Sequence, residues 1–142
     1  MIAIDSNILV YAHRSATPEH RKAQKAIERA TADLSQWGIS LASLAEFWSI
    51  VTHPASAGGP STGAQAAEFI RSLVEAGAQI WLPGLGFAQR LMQVAVDLEV
   101  AGPRIFDLQI ALTASDNGAT EIWTHDHNFL TIPGLRVQDP LI

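Results

Sequence analysis

The chain has 142 residues, 48% of them hydrophobic, a formal net charge of −5 and no cysteine. That length fits one domain spanning residues 1–142 with a core large enough to fold unaided, and the missing cysteine excludes disulfides and thiolate metal sites, as suits a reducing cytosol. The start Met1-Ile2-Ala3-Ile4-Asp5 lacks the basic and apolar regions of a signal peptide, and no apolar run reaches the roughly 18 residues of a membrane span, so a soluble cytoplasmic protein is expected.

Ile2 to Asp5 is a short apolar run rich in β-branched residues, which predicts a buried first strand ending in a carboxylate. Ser6 and Asn7 are good helix N-caps, and a short helix follows over 8–12. Pro18 and Glu19 open a second helix, with Ala23, Ala26, Ile27, Ala30 and Leu34 at helical spacing. Residues 37–41 read as a strand and 43–51 as a helix with Leu44, Phe47, Trp48 and Val51 on one face. His53 to Thr62 carries two prolines and two adjacent glycines, which marks a loop. A fourth helix spans 63–75, closed by Gly77, and a strand spans 79–82. A fifth helix over 87–100 places Phe87, Leu91, Val94, Ala95 and Leu98 together, and Gly102-Pro103 breaks it. A sixth helix over 105–117 ends on Gly118 as a left-handed cap. Strands over 121–124 and 135–138 complete the chain. There is no internal repeat or low-complexity tract.

Short apolar strands alternating with helices predict an α/β fold, a parallel sheet with helices on both faces. Ligands bind such sheets in the crevice at the carboxyl ends of the strands. Asp5 ends the first strand and Asp126 follows the fourth, so both face that crevice if their strands are parallel neighbours.

Four acids carry the chemistry, each with a plain structural alternative. Asp5 could simply cap a helix. Glu46, in Leu44-Ala45-Glu46-Phe47-Trp48, must face solvent or be paired, because an unpaired buried carboxylate is costly. Asp107 shares a helical face with Ile110, Ala111 and Ala114 and lies near a helix N-terminus, where the dipole favours negative charge. Asp126, in Thr124-His125-Asp126-His127-Asn128-Phe129, could be chosen for turn chemistry. Taken together, carboxylates in one crevice repel one another and stay ionised only with a cation present. All-oxygen ligands select Mg²⁺ or Mn²⁺. Such an ion activates water and neutralises charge on a phosphate, the chemistry of phosphodiester hydrolysis. His125 and His127 would point away from Asp126 in extended chain, which disfavours joint ligation by the three. His13, His20 and His53 read as surface or loop residues, and the four tryptophans as core.

The net charge is awkward for a nucleic-acid partner. However, Arg14, Arg21, Lys22, Lys25 and Arg29 cluster between 14 and 29, opposed there only by Glu19 and Glu28. This is either a solvated helix face or a phosphate-binding surface.

These segments resemble the PIN-domain family, in particular VapC-type toxins of toxin–antitoxin pairs. The resemblance runs through Ile4-Asp5-Ser6-Asn7-Ile8-Leu9-Val10-Tyr11, Leu44-Ala45-Glu46-Phe47, Phe106-Asp107 with Ile110-Ala111, Thr124-His125-Asp126-His127-Asn128-Phe129, and Pro133-Gly134-Leu135-Arg136-Val137. It implies a three-layer α/β/α domain around a mostly parallel sheet of four to five strands. The implied activity is a Mg²⁺- or Mn²⁺-dependent endoribonuclease, with Asp5, Glu46, Asp107 and Asp126 in the metal-binding places. Asn7 and Thr124 fill the supporting polar positions. A homodimer and a VapB-like antitoxin partner are also implied. The family often has a further acid where this chain has Asn128, which predicts weaker support for a second ion, not loss of activity. Arg14, Arg21, Lys22 and Lys25 are the candidate RNA contacts. Two other readings stay open: a PIN-like binding module without useful catalysis, and a phosphatase-type hydrolase using Asp5 as nucleophile. The latter usually wants a second acid where Asn7 stands.

Overall fold

A computed structural model describes residues 1–33 and 36–142. The element order is β1 (Ile2–Ile4), α1 (Ser6–His13), α2 (His20–Ala32), β2 (Trp37–Ser40), α3 (Leu41–Thr52), α4 (Gly63–Glu75), β3 (Gln79–Trp81), α5 (Phe87–Asp97), α6 (Arg104–Asp116), β4 (Glu121–Trp123) and β5 (Arg136–Gln138). The strands pair in the order β3-β2-β1-β4-β5, every neighbour parallel.

The period-2 alternation of each strand sorts its side chains into two cores. Ile2 and Ile4 of β1, Trp37 and Ile39 of β2 and Trp123 of β4 pack with the inner faces of α1 to α4. Ala3 and Ile122, which are paired across β1 and β4, face the other way and pack with α5 and α6. The result is the α/β/α sandwich expected from the sequence. The chain builds β1, β2 and β3 outward in one direction, then returns through α5 and α6 to place β4 on the other side of β1. The switch point of the sheet therefore lies between β1 and β4, and the crevice beyond their carboxyl ends is where such folds bind ligands.

Local signals set the helix ends. Thr62 and Gln65 cap α4 reciprocally, each side chain bonding the other residue's backbone N–H. Gly118, at φ +100°, ends α6, and the Ala119 N–H returns to the Ala114 carbonyl at 3.0 Å, the left-handed cap read from the sequence.

Several boundaries differ from the sequence reading. The helix α1 begins at Ser6 because Asp5, not Ser6 or Asn7, is its N-cap. Pro18 and Glu19 lie in the turn before α2. Leu34, placed in the helical pattern, lies outside the described residues. Trp48 was expected to face inward with Leu44, Phe47 and Val51 but is 38% exposed. It sits a helical step round from Phe47, and its indole lies over Gly63 at the start of α4. The other three tryptophans are buried. The helix α5 stops at Asp97, with Leu98 as an exposed cap and Glu99 at φ +52°. The apolar spacing continues past the point where the backbone has turned.

Candidate active site

Asp5 follows three buried strand residues, and its own N–H still donates to the Trp123 carbonyl of β4 at 3.0 Å. The backbone pairing thus fixes its position at the carboxyl edge. Its Oδ1 accepts the Ser6 N–H at 2.7 Å and its Oδ2 accepts the Thr124 hydroxyl at 2.7 Å. With 4% exposure, burial pushes this carboxyl up to about 6 from 3.8. The Thr124 and Ser6 donors pull it down, and the negative fields of Glu46 and Asp107 push it up further.

Thr124 is the junction of the site. Besides donating to Asp5, its Oγ1 accepts the Asn7 amide at 3.0 Å and the Asp126 N–H at 3.1 Å. The Asn7 side-chain Oδ1 in turn accepts the His125 N–H at 3.1 Å. The start of α1 and the turn after β4 are therefore tied across the switch point. Within that turn the Asn128 N–H donates to Asp126 Oδ1 at 2.9 Å, so the polar residues form an ordered Asx-type turn.

Glu46 projects from an exposed position of α3, and the Ser6 hydroxyl donates to its Oε1. Asp107, half-buried in the first turn of α6, is held above the ordinary carboxylate range. Burial is the main cause, followed by the charge of Asp126; the Leu130 N–H and Arg104 oppose the rise, and Glu46 adds to it. Asp107 and Asp126 line one cleft of about 610 Å³ with Arg104, His127, Asn128 and Phe129.

The four predicted acids are thus brought to one edge of the sheet. Asp5 feels Glu46 and Asp107, and Asp107 feels Asp126 and Glu46. They remain spread. Among the described residues no three of them bring ligand atoms within 4.8 Å of one another, a spacing met by His125, His127 and Asp139. Glu46 and Asp126 each bond a neighbour. The donor set at this edge is all oxygen and negatively charged, which fits a hard divalent cation.

Of the predicted basic residues, Arg21, Lys22 and Lys25 are exposed on α2. Arg14 has another engagement: its guanidinium donates to the Val51 carbonyl at 2.7 Å, and to Gly59 and Ser56 of the following loop. Arg29 donates to the Pro140 carbonyl at 3.1 Å and lies 5.3 Å above the Trp123 ring. His13 is not a free surface residue. Its ring packs against Phe47 and Phe69, and Ser61 bonds its Nε2 at 2.9 Å. Burial, then the charges of Arg14 and His20, lowers its pKa.

Three residues of the site were not singled out from the sequence. Ser6 links two of the acids, Arg104 brings a positive charge to the cleft, and Asp139 collects both histidines of the Asp126 turn. Arg104 sits three places before Asp107 and could have been noticed as its cationic neighbour. The other two act across 40 residues and 12 to 14 residues of chain, and no local pattern announces them.

Residues 2–135 match the family model of the PIN domain. The chain is 32% identical to VapC ribonuclease Mb2897 of Mycobacterium bovis, over 99% of this chain and 96% of that protein. It is 28% identical to ribonuclease VapC48 of Mycobacterium tuberculosis, over 96% and 94%. Among solved structures it is similar to the sarcin–ricin-loop-cleaving toxin VapC20 of M. tuberculosis, with a TM-score of 0.69, 11% identity and coverage of 91% and 92%. It is also similar to a toxin–antitoxin complex from Klebsiella pneumoniae, with a TM-score of 0.66, 23% identity and coverage of 99% and 98%.

Proposed function

The chain belongs to the PIN-domain family, and we propose that it is an endoribonuclease of the VapC type whose catalytic centre is formed by Asp5, Glu46, Asp107 and Asp126. The observation that carries this reading is the convergence of the four acids at the switch point of the sheet, where Asp5 lies in the field of Glu46 and Asp107, and Asp107 in that of Asp126 and Glu46. A protein with no use for a cation has no reason to gather groups that oppose one another's ionisation.

Asp5, Asp107 and Asp126 would hold Mg²⁺ or Mn²⁺, with Glu46 ligating directly or through a water. When bound, such an ion supplies Lewis acidity toward a phosphate oxygen and toward an attacking water. The chain's own residues set the geometry. Ser6 and Thr124 fix the two oxygens of Asp5, Asn7 locks the turn that carries Asp126, and Asn128 orients that carboxylate through its N–H. Arg104, at the mouth of the cleft, suits a phosphate of the RNA strand. Arg21, Lys22 and Lys25 give an exposed basic face for the rest of the backbone. Arg14, engaged with the loop, contributes by shaping that region.

The antitoxin partner and a homodimer belong to the same reading. Leu82, Leu85, Met92, Val96 and Phe106 are exposed apolar side chains of the kind that a protein partner covers. Among the described residues no helix is long and apolar enough to cross a membrane.

Asp107→Asn is the direct test. It is expected to abolish Mn²⁺-dependent cleavage of single-stranded RNA while leaving the circular dichroism spectrum intact, and retained cleavage would defeat the assignment. A thermal-shift titration separates a nuclease from a pure binding module. Metal bound only by the folded state raises the melting temperature, and no shift with millimolar Mn²⁺ would favour the binder.

A further inference from the structure

His125 and His127 flank Asp126 in sequence, yet both rings turn to another acid. His125 Nδ1 and His127 Nε2 each lie 2.8 Å from Asp139 Oδ2. All three ligand atoms fall within 4.8 Å of one another. The groups are held from outside as well. Asp139 Oδ1 accepts the Leu141 N–H at 2.9 Å, the His125 and Tyr11 rings meet in a T-shaped contact with centroids 5.9 Å apart, and the His125 N–H donates to Asn7 Oδ1. The His127 side chain is 66% exposed while that of Asp139 is 9% exposed. The triad is therefore firm at its carboxylate and open to solvent on one side.

We propose that His125, His127 and Asp139 form a second cation site, selective for a borderline divalent ion of the Zn²⁺ class and distinct from the carboxylate cluster. Two imidazole nitrogens and one carboxylate oxygen are a three-ligand set that Zn²⁺ accepts, with water in the remaining tetrahedral position. Imidazole favours Zn²⁺, Co²⁺ and Ni²⁺, whereas all-oxygen donors favour Mg²⁺ and Mn²⁺, so two neighbouring sites would sort two kinds of ion. With metal–ligand bonds of about 2.0–2.1 Å, tetrahedral ligands stand about 3.3 Å apart. Each of the two 2.8 Å contacts needs to open by only about half an ångström, through rotation of the exposed His127 and the part-exposed His125 side chains. A bound ion would join the turn after β4 to the segment after β5. Asp126 lies between two of the ligands, so its backbone would be clamped on both sides. The binding claim stands without the nuclease reading.

The test uses the full chain freed of metal by a chelator, then titrated with Co²⁺ and back-titrated with Zn²⁺. The wild type is expected to develop the intense visible absorption of tetrahedral Co²⁺ at one equivalent, and Zn²⁺ to bleach it. His127→Ala, at an exposed position, and Asp139→Asn are expected to weaken Zn²⁺ binding by about 100-fold or more, since even outer-shell losses reach that range. Asp107→Asn is expected to keep the Co²⁺ band, which separates this site from the carboxylate cluster. No band in the wild type, or equal bands in wild type and both triad variants, would overturn the proposal and leave the triad a hydrogen-bonded clasp. A band lost in Asp107→Asn but kept in His127→Ala would also overturn it, placing the ion among the carboxylates.

Discussion

Replacing Asp5 by Asn tests the electrostatics of the site without reference to RNA. The folded chain holds this carboxyl at about 6, against 3.8 when unperturbed, so the folded state binds its proton more tightly than the unfolded chain does. For an acid raised in this way, the stabilising contribution is complete below about pH 4 and is lost as pH rises through about 6. A shift of about two pH units corresponds to about 3 kcal/mol in all, of which about 2 kcal/mol falls between about pH 4.5 and about pH 7.5. The amide carries no charge and removes this slope. Its nitrogen, however, would face the Thr124 hydroxyl, which already accepts from Asn7 and Asp126, so about 1–3 kcal/mol is lost at every pH. The readout is therefore a difference of differences. Urea unfolding is measured for both proteins at the two pH values with a chelator present. The variant's stability relative to wild type is expected to improve by about 2 kcal/mol at the higher pH. Parallel stability profiles would refute the claim that burial holds the Asp5 carboxyl above its ordinary range.

Three further substitutions probe the scaffold. Thr124→Val deletes a hydroxyl that makes three hydrogen bonds. Urea unfolding should show a loss of about 1–3 kcal/mol, and RNA cleavage should fall through the turnover rate more than through substrate affinity. Arg14→Ala removes the donors that hold Val51, Ser56 and Gly59. Limited proteolysis should then cut within residues 53–61, while RNA affinity changes little; a large affinity loss with an intact loop would instead restore Arg14 as an RNA contact. Gly38→Ala places a Cβ 2.5 Å from the Trp81 ring and 2.9 Å from the Gln79 carbonyl oxygen, and thermal unfolding should register about 1–3 kcal/mol of overpacking.

The sequence made the acids legible unequally. Asp5 and Asp107 stand out because local periodicity gives them a direction: one ends a buried strand, and the other shares a face with Ile110, Ala111 and Ala114, all buried. Asp126 was legible as part of a polar turn after a strand. Glu46 was not oriented by its neighbours, since exposed Ala45 and Trp48 flank its helical surface and only the Ser6 hydroxyl shows where its carboxylate goes. The histidines illustrate the limit. Extended-chain geometry set them apart from Asp126, and both rings do bond Asp139, but it could not name that partner, because nothing local records that β5 pairs beside β4. Trp48 and Leu98 erred in the same way: apolar periodicity says which face a side chain shares, while the packing of other elements decides whether that face is covered.

Ala3, Ala111 and Ala114 are all small and buried in the core between the sheet and α6, and the Ser40 hydroxyl donates to the Ile110 carbonyl at 3.0 Å. The helix rests on the sheet like a beam on a sill, with Asp107 at its free end about 10 Å along the axis from Ala114. Thickening the support at Ala3 would tilt the beam and swing that end away from its companions. Loss of cleavage could then originate in a methyl-sized position that never meets the nucleic acid, with every charged group still in the chain.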